Sequence, residues 1–212
     1  MRIIGGSHRG RKLAAPAGDE LRPTGDRARE ALFGILEHGE PPVQGARFLD
    51  LFAGTGAVGL EAFSRGAAEV LVVERMPEAL ALIDANLKRL GRPANVRVLA
   101  QDASRLPRAR QAFDLAFLDP PYRSRLALPA LETMRGGWLA PDARVVVEID
   151  ARGDLAAPRG YELEQVRRYG AAKFVFLRPR RGAGDVLAVS GGDGPRRDGA
   201  AAPVELNAPR PP

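Results

Sequence analysis

Between Ala46 and Asp150 the chain repeats one pattern that restricts its fold more than any other feature. ARFLDLF at 46–52, EVLVVE at 69–74, NVRVLAQD at 95–102, FDLAFLD at 113–119 and ARVVVEID at 143–150 are nearly continuous apolar runs. A strand with one wet face alternates apolar and polar residues, whereas a strand covered on both faces does not, and the latter is the habit of parallel sheets. GAVGLEAFSRG at 56–66, PEALALIDANLKRLG at 77–91 and LALPALETMRGGWL at 126–139 lie between these runs and read as helices, the second opened by a proline at its first position. Alternating strands and helices predict an α/β fold. GYELEQVRRY at 160–169 and AAKFVFLRPR at 171–180 are separated by Gly170 alone. No crossover fits there, so the two predict an antiparallel hairpin at the end of the sheet.

The flanks differ from this centre. MRIIGGSHRGRKLAAP at 1–16 reads as two short strands around a glycine turn, a β-hairpin. LRPTGDRAREALFGILEH at 21–38 predicts a helix with Thr24 as its cap and Ala28, Ala31, Leu32, Ile35 and Leu36 on one face. After Arg181 glycine, alanine and proline dominate without periodicity, which predicts a disordered tail. The expected organisation is an N-terminal extension over 1–40, a catalytic-type domain over 41–181 and a tail over 182–212. His8 and His38 have no partners at metal spacing and read as surface residues, so no metal site is expected.

Charge locates a partner. The net charge is +6, and residues 1–30 carry seven basic against four acidic side chains, residues 159–181 seven against two. The remaining stretches are nearly balanced, so the excess sits at the two ends of the ordered region. A basic genome composition would not localise in this way; a polyanion such as nucleic acid accounts for it. Cysteine is absent, which removes disulfides and a thiolate nucleophile and fits a reducing cytoplasm. No apolar run is long enough to span a membrane and no leader pattern opens the chain, so a cytoplasmic protein without membrane contact is expected.

The first strand runs into Asp50-Leu-Phe-Ala-Gly54-Thr-Gly56-Ala-Val-Gly59, and Glu74 ends the next strand 20 residues after Gly54. Glycines at this spacing between strand and helix let a nucleotide approach the backbone, and the acid suits ribose hydroxyls. A dinucleotide would bring its pyrophosphate against Asp50, and like charges repel. A carboxylate there suits a cationic ligand instead, such as the amine and sulfonium of S-adenosylmethionine (SAM). LDPPY at 118–122 poses the companion question, because two prolines cannot continue a ladder. Asp119 ends its strand at the carboxyl edge of the sheet. Its carboxylate and the rigid Pro120 carbonyl can accept the two N–H bonds of an exocyclic amine, with Tyr122 stacked on the base.

These motifs, with RIIGGxxRGRKL at 2–13, LRPTxDRxREALF at 21–33 and LDLFAGTGAVGLEAFSRGA at 49–67, resemble the bacterial 16S ribosomal RNA guanine-N2 methyltransferases. The resemblance implies a Rossmann-like class I SAM-dependent methyltransferase fold, with a seven-stranded mostly parallel sheet, an antiparallel C-terminal hairpin and an N-terminal hairpin–helix extension. It implies SAM contacts from Asp50, Phe52, Ala53, Gly54, Thr55, Gly56, Glu74, Arg75, Asp102 and Ala103. Asp119, Pro120, Pro121 and Tyr122 would face the guanine. Arg2, Arg9, Arg11 and Lys12, with Arg22 and Arg27, would lie on the RNA side. The implied partner is 16S rRNA in the small ribosomal subunit or its assembly intermediate, met by a monomer. The RPTxDRxRE segment is left open, since Arg22, Thr24, Asp26, Arg27, Arg29 and Glu30 suit closing the site, binding phosphate or capping a helix. An adenine-N6 DNA methyltransferase and a non-catalytic RNA-binding assembly factor share parts of the pattern.

Overall fold

The computed structural model describes residues 1–16, 23–121 and 124–180. Strands β1 (Arg47–Leu51), β2 (Glu69–Glu74), β3 (Val96–Ala100), β4 (Phe113–Leu118), β5 (Leu139–Asp150), β6 (Tyr161–Tyr169) and β7 (Ala172–Pro179) form one sheet in the order β3-β2-β1-β4-β5-β7-β6. The first five are parallel, while β7 runs antiparallel between β5 and β6. Gly170 makes the β6–β7 turn with φ 60°, a left-handed conformation that costs glycine nothing. The chain leaves β1 towards β2 on one side and returns to β4 on the other. That reversal opens a crevice at the carboxyl ends of β1 and β4, where open α/β sheets take ligands.

Side-chain parity divides the molecule into two cores. Phe48, Val70, Val72, Leu115, Phe117, Val146, Phe174 and Phe176 face helices α1 (Pro23–Glu37), α2 (Ala57–Ser64) and α3 (Pro77–Arg89). The intervening residues, among them Leu49, Leu71, Ala116, Val145 and Val175, face helix α4 (Ala127–Met134). The link from β3 to β4 has no helix; Ala103 and Leu106 cover this second face, and the Trp138 indole donates to the Pro107 carbonyl at 2.8 Å. Because strand side chains alternate strictly, Asp50, Glu74, Asp119 and Glu148 share the parity of the first face. That places them all beneath α1–α3.

The N-terminal segment departs from its expectation in two respects. Helix α1 is described from Pro23 onward, so Thr24 is preceded by a helical residue and does not occupy the expected cap position. The hairpin is present but short: Arg2 bridges Lys12, and the N–H groups of Ile3, Gly10 and Leu13 reach the carbonyls of Arg11, Ile3 and Met1 at 2.9–3.1 Å, around a 3-10 turn at Gly6–His8. The backbone donors that would extend its ladder go elsewhere: Ile4 and Gly5 give their N–H groups to the Glu61 carboxylate at 2.8 and 2.7 Å. Gly6 has φ +74°, and a Cβ there would lie 1.8 Å from the Ser64 carbonyl oxygen, so only glycine fits against α2. Ile3, Leu13, Leu32, Phe33 and Leu36 are buried in the same core as the sheet. At about 1.5–3 kcal/mol for each large side chain, the extension is held firmly to the domain. Residues 17–22, Tyr122, Arg123 and 181–212 fall outside the described residues, and with them the expected roles of Arg22, Tyr122 and the tail.

Candidate active site

The glycine loop is shaped by two acids from neighbouring strands. Phe52 (φ 57°), Gly54 (φ 57°) and Gly56 (φ 75°) adopt left-handed conformations. For a phenylalanine this is costly and marks a strained, functional turn. Glu74 Oε2 accepts the Gly54 N–H at 2.9 Å, and Oε1 accepts those of Arg75 and Met76 at 2.7 and 2.9 Å. Asp50 Oδ2 accepts the Gly59 N–H at 2.8 Å. A Cβ at Gly59 would stand 3.0–3.1 Å from Val72, Val70 and the Asp50 carboxylate, so this glycine allows α2 to rest directly on β1 and β2.

Above the crevice lies a cavity of ≈ 260 Å³. The glycine loop supplies Phe52, Ala53, Gly54 and Thr55; the strands supply Asp50, Phe117, Asp119, Glu148 and Phe174; α1 supplies Gly25, Ala28, Arg29 and Leu32 as a wall. The segment left open in the sequence therefore contributes part of the enclosure. Arg27 and Glu30 on the same helix are exposed. Register brings the chemistry together: Leu51 pairs with Leu118, and the Asp119 N–H reaches the Leu51 carbonyl at 3.3 Å. Asp119 is exposed at the cavity mouth, Pro120 is buried behind it and Pro121 is exposed.

The cavity is electrostatically tense. Burial pushes the Asp50 carboxyl up to about 7, the Gly59 hydrogen bond pulling it down and the Glu74 charge adding to the rise. Although Asp119 keeps part of its surface in solvent, the protein packed around its carboxyl raises it well above its ordinary range, and the like charges of Glu148 and Asp50 add to the rise. A cation entering between them would restore their ionised forms. The donor set fits SAM on that ground: acids for its amine and sulfonium, and an aromatic and apolar floor from Phe117 and Phe174.

The other expected cofactor residues, Gly56, Glu74, Arg75, Asp102 and Ala103, do not line this cavity. Ala103 is buried, and Asp102 pairs with Arg75 at 3.3 Å. Asp102 Oδ1 accepts from the Ser104 N–H and hydroxyl at 2.9 and 2.7 Å, which hold its carboxyl below the ordinary range. Arg2, Arg9, Arg11 and Lys12 are exposed on the hairpin.

Sequence reasoning did not single out Glu148 or the buried polar joint beneath the hairpin. Glu148 was detectable from parity, as a polar residue near the end of ARVVVEID on the same face as Val146. The joint was not, because Glu61, Ser64 and Asn86 read as ordinary helix residues. Ser64 Oγ donates to the Gly5 carbonyl at 2.6 Å and accepts the His8 N–H at 2.9 Å. Asn86 accepts the Ala14 N–H at 2.6 Å and donates to the Thr55 carbonyl at 3.0 Å, tying the extension to the glycine loop.

Comparison with known proteins agrees with this geometry. The model of the family described as conserved hypothetical protein 95 matches residues 1–178. The ribosomal RNA small subunit methyltransferase D of Escherichia coli strain K12 is 36% identical over 189 residues, 87% of this chain and 93% of that protein. The chain belongs to this family of ribosomal RNA methyltransferases. Its Haemophilus influenzae relative of the same description is 34% identical, over 82% of this chain and 91% of its own. Among solved structures, the provisionally named methyltransferase yhhF of Escherichia coli superposes with a TM-score of 0.73 at 36% identity, covering 84% of this chain and 97% of its own. The seven-stranded sheet with its antiparallel hairpin is thus the class I methyltransferase fold.

Proposed function

We propose that this enzyme transfers the methyl group of SAM to the exocyclic N2 of a guanine in 16S rRNA, acting as a monomer on the small ribosomal subunit or its assembly intermediate. The observation that carries the reading is the convergence of Asp50, Asp119 and Glu148 at one cavity behind the DPP turn, with a basic hairpin clamped beside it. Relatives named for methylation of small-subunit RNA support the substrate. No helix among the described residues is long and apolar enough to cross a membrane, and the proposed ribosomal substrate supports a cytoplasmic location.

SAM supplies an electrophilic methyl on a sulfonium, so the protein's task is placement and proton handling. Asp50 and the glycine loop fix the donor. Asp119 and the Pro120 carbonyl accept the two N–H bonds of the guanine amine and draw its lone pair out of the ring. Tyr122 stacks on the base, which enters unpaired or flipped. Methyl transfer forms the N–C bond as the S–C bond breaks, and the surplus proton leaves to Asp119 or to water. The raised affinity of Asp119 for a proton suits that acceptance.

The test is methylation of small-subunit particles with labelled SAM, followed by mass mapping of 16S rRNA from a strain lacking the gene. One guanine should lose its N2 methyl in that strain and regain it with the purified enzyme. An unchanged methylation map would overturn the substrate.

A further inference from the structure

We infer that Arg29 holds the carboxylate of the cofactor's amino-acid end, as the one cationic side chain in a cavity otherwise charged by acids. The inference rests on the SAM reading. Among the described lining residues, the charged side chains are Asp50, Asp119, Glu148 and Arg29. SAM carries an ammonium and a sulfonium, which the acids suit, and a carboxylate, which they repel. A carboxylate taken out of water beside other carboxylates needs a cation within reach. Among the side chains of the described lining residues, Arg29 of α1 alone supplies one.

The bonding of Arg29 leaves it suited to this task. The side chain is 7% exposed. Nη2 donates to the Arg2 carbonyl at 2.5 Å and to Asp26 at 3.0 Å, which orients the guanidinium. Nε is buried without a hydrogen-bond partner and lies 3.7 Å from Glu61 Oε2. A purely structural account would have Arg29 neutralise Glu61. Glu61, however, already accepts the Ile4 and Gly5 N–H groups and pairs with Arg65 Nε at 2.8 Å. A second arginine is surplus to that carboxylate, and a planar fork with donors to spare matches a carboxylate ligand. Arg29 also comes from the extension and not from the glycine-loop fold, so it can be tested apart from the rest of the site.

Calorimetry on the full chain with three ligands decides the matter. These are SAM, decarboxylated SAM, which keeps amine and sulfonium, and methylthioadenosine, which lacks the amino-acid end. Wild type should bind SAM about 10- to 100-fold more tightly than its decarboxylated form, the range for a hydrogen-bonded charge. Arg29→Met should lose that preference while its affinity for methylthioadenosine stays within about twofold, which also shows that the pocket is folded; Arg29→Lys should keep part of it. Equal affinity of wild type for SAM and decarboxylated SAM, or a preference that survives in Arg29→Met, overturns the assignment and leaves the cofactor reading intact. Failure of wild type to bind any of the three overturns both. Should Arg29→Met not fold, the wild-type ratio and Arg29→Lys decide alone.

Discussion

Two buried polar regions lie on the same face of the sheet, and they differ in how completely they are paired. Beneath the hairpin, Glu61, Ser64 and Asn86 are each 3% exposed or less, and their polar atoms meet backbone groups of residues 4–14 or Arg65 at 2.6–3.2 Å. In the cavity, Asp50 is 1% exposed, receives a single hydrogen bond among the described residues and feels the like charge of Glu74, while Glu148 and Asp50 crowd Asp119 in the same way. A saturated polar cluster has found its partners within the chain and specifies structure. An unsaturated one, held by strong scaffolding, is completed by a ligand.

Exchanging the roles of the two acids is the strongest way to break this comparison. Glu61→Ala leaves Arg65 and two backbone donors unpaired, so urea unfolding should show a loss of about 3–5 kcal/mol. Asp50→Asn should leave the ligand-free protein as stable or more so at pH 8, yet weaken SAM about 10- to 100-fold by calorimetry. Equal losses of stability from both changes would mean that the two regions do not differ. Asp119→Ala sharpens the same point within the cavity. Transfer in a tritiated-methyl assay should fall about 10²–10⁴-fold, with SAM affinity changed by less than about threefold (roughly 0.6 kcal/mol), and retained activity would remove Asp119 from the chemistry.

Proton linkage gives a smaller and graded test. Asp50 has its folded pKa raised to about 7, so its contribution to stability is full below the ordinary carboxylate range and is lost as pH rises through 7. The ligand-free wild type should therefore lose about 1–3 kcal/mol relative to Asp50→Asn between pH 5 and 8. SAM affinity should rise over the same interval, in thermal-shift titrations, as the cation meets an ionised acid. The least effect falls on the outside. Arg9→Glu with Arg11→Glu should leave unfolding unchanged within about 0.5 kcal/mol. The slope of log affinity for RNA against log salt should drop by about 0.7–0.9 for each phosphate that the hairpin no longer neutralises. An unaltered slope would move the RNA to another face.

The sequence showed the sheet clearly because its strands are local apolar runs bounded by acids, glycines and prolines. The strands lie where those runs and the C-terminal hairpin predict, except that β5 starts at Leu139, ahead of its run and inside the stretch read as helical; Asp50, Glu74 and Asp119 fall at or next to strand ends for the same reason. It was less informative where a backbone found partners far along the chain. The hairpin ladder stops at Ile3 because Glu61, more than fifty residues away, takes the donors of Ile4 and Gly5. Thr24 does not occupy the cap position of α1, since Pro23 before it is already helical. The helix-less β3–β4 link is covered by Trp138 from beyond α4, which no local pattern could announce.

Residue order alone determined the parallel α/β sheet, the acid-flanked glycine loop, the DPP turn and the basic ends, since each depends on neighbours within a few positions. Only the tertiary structure decided that α1 walls the cavity, that Glu148 joins Asp50 and Asp119 in lining it, and that Arg29 lines it with them. Those placements depend on strand register and on which face each side chain takes, and both are set when distant segments bury their apolar faces together.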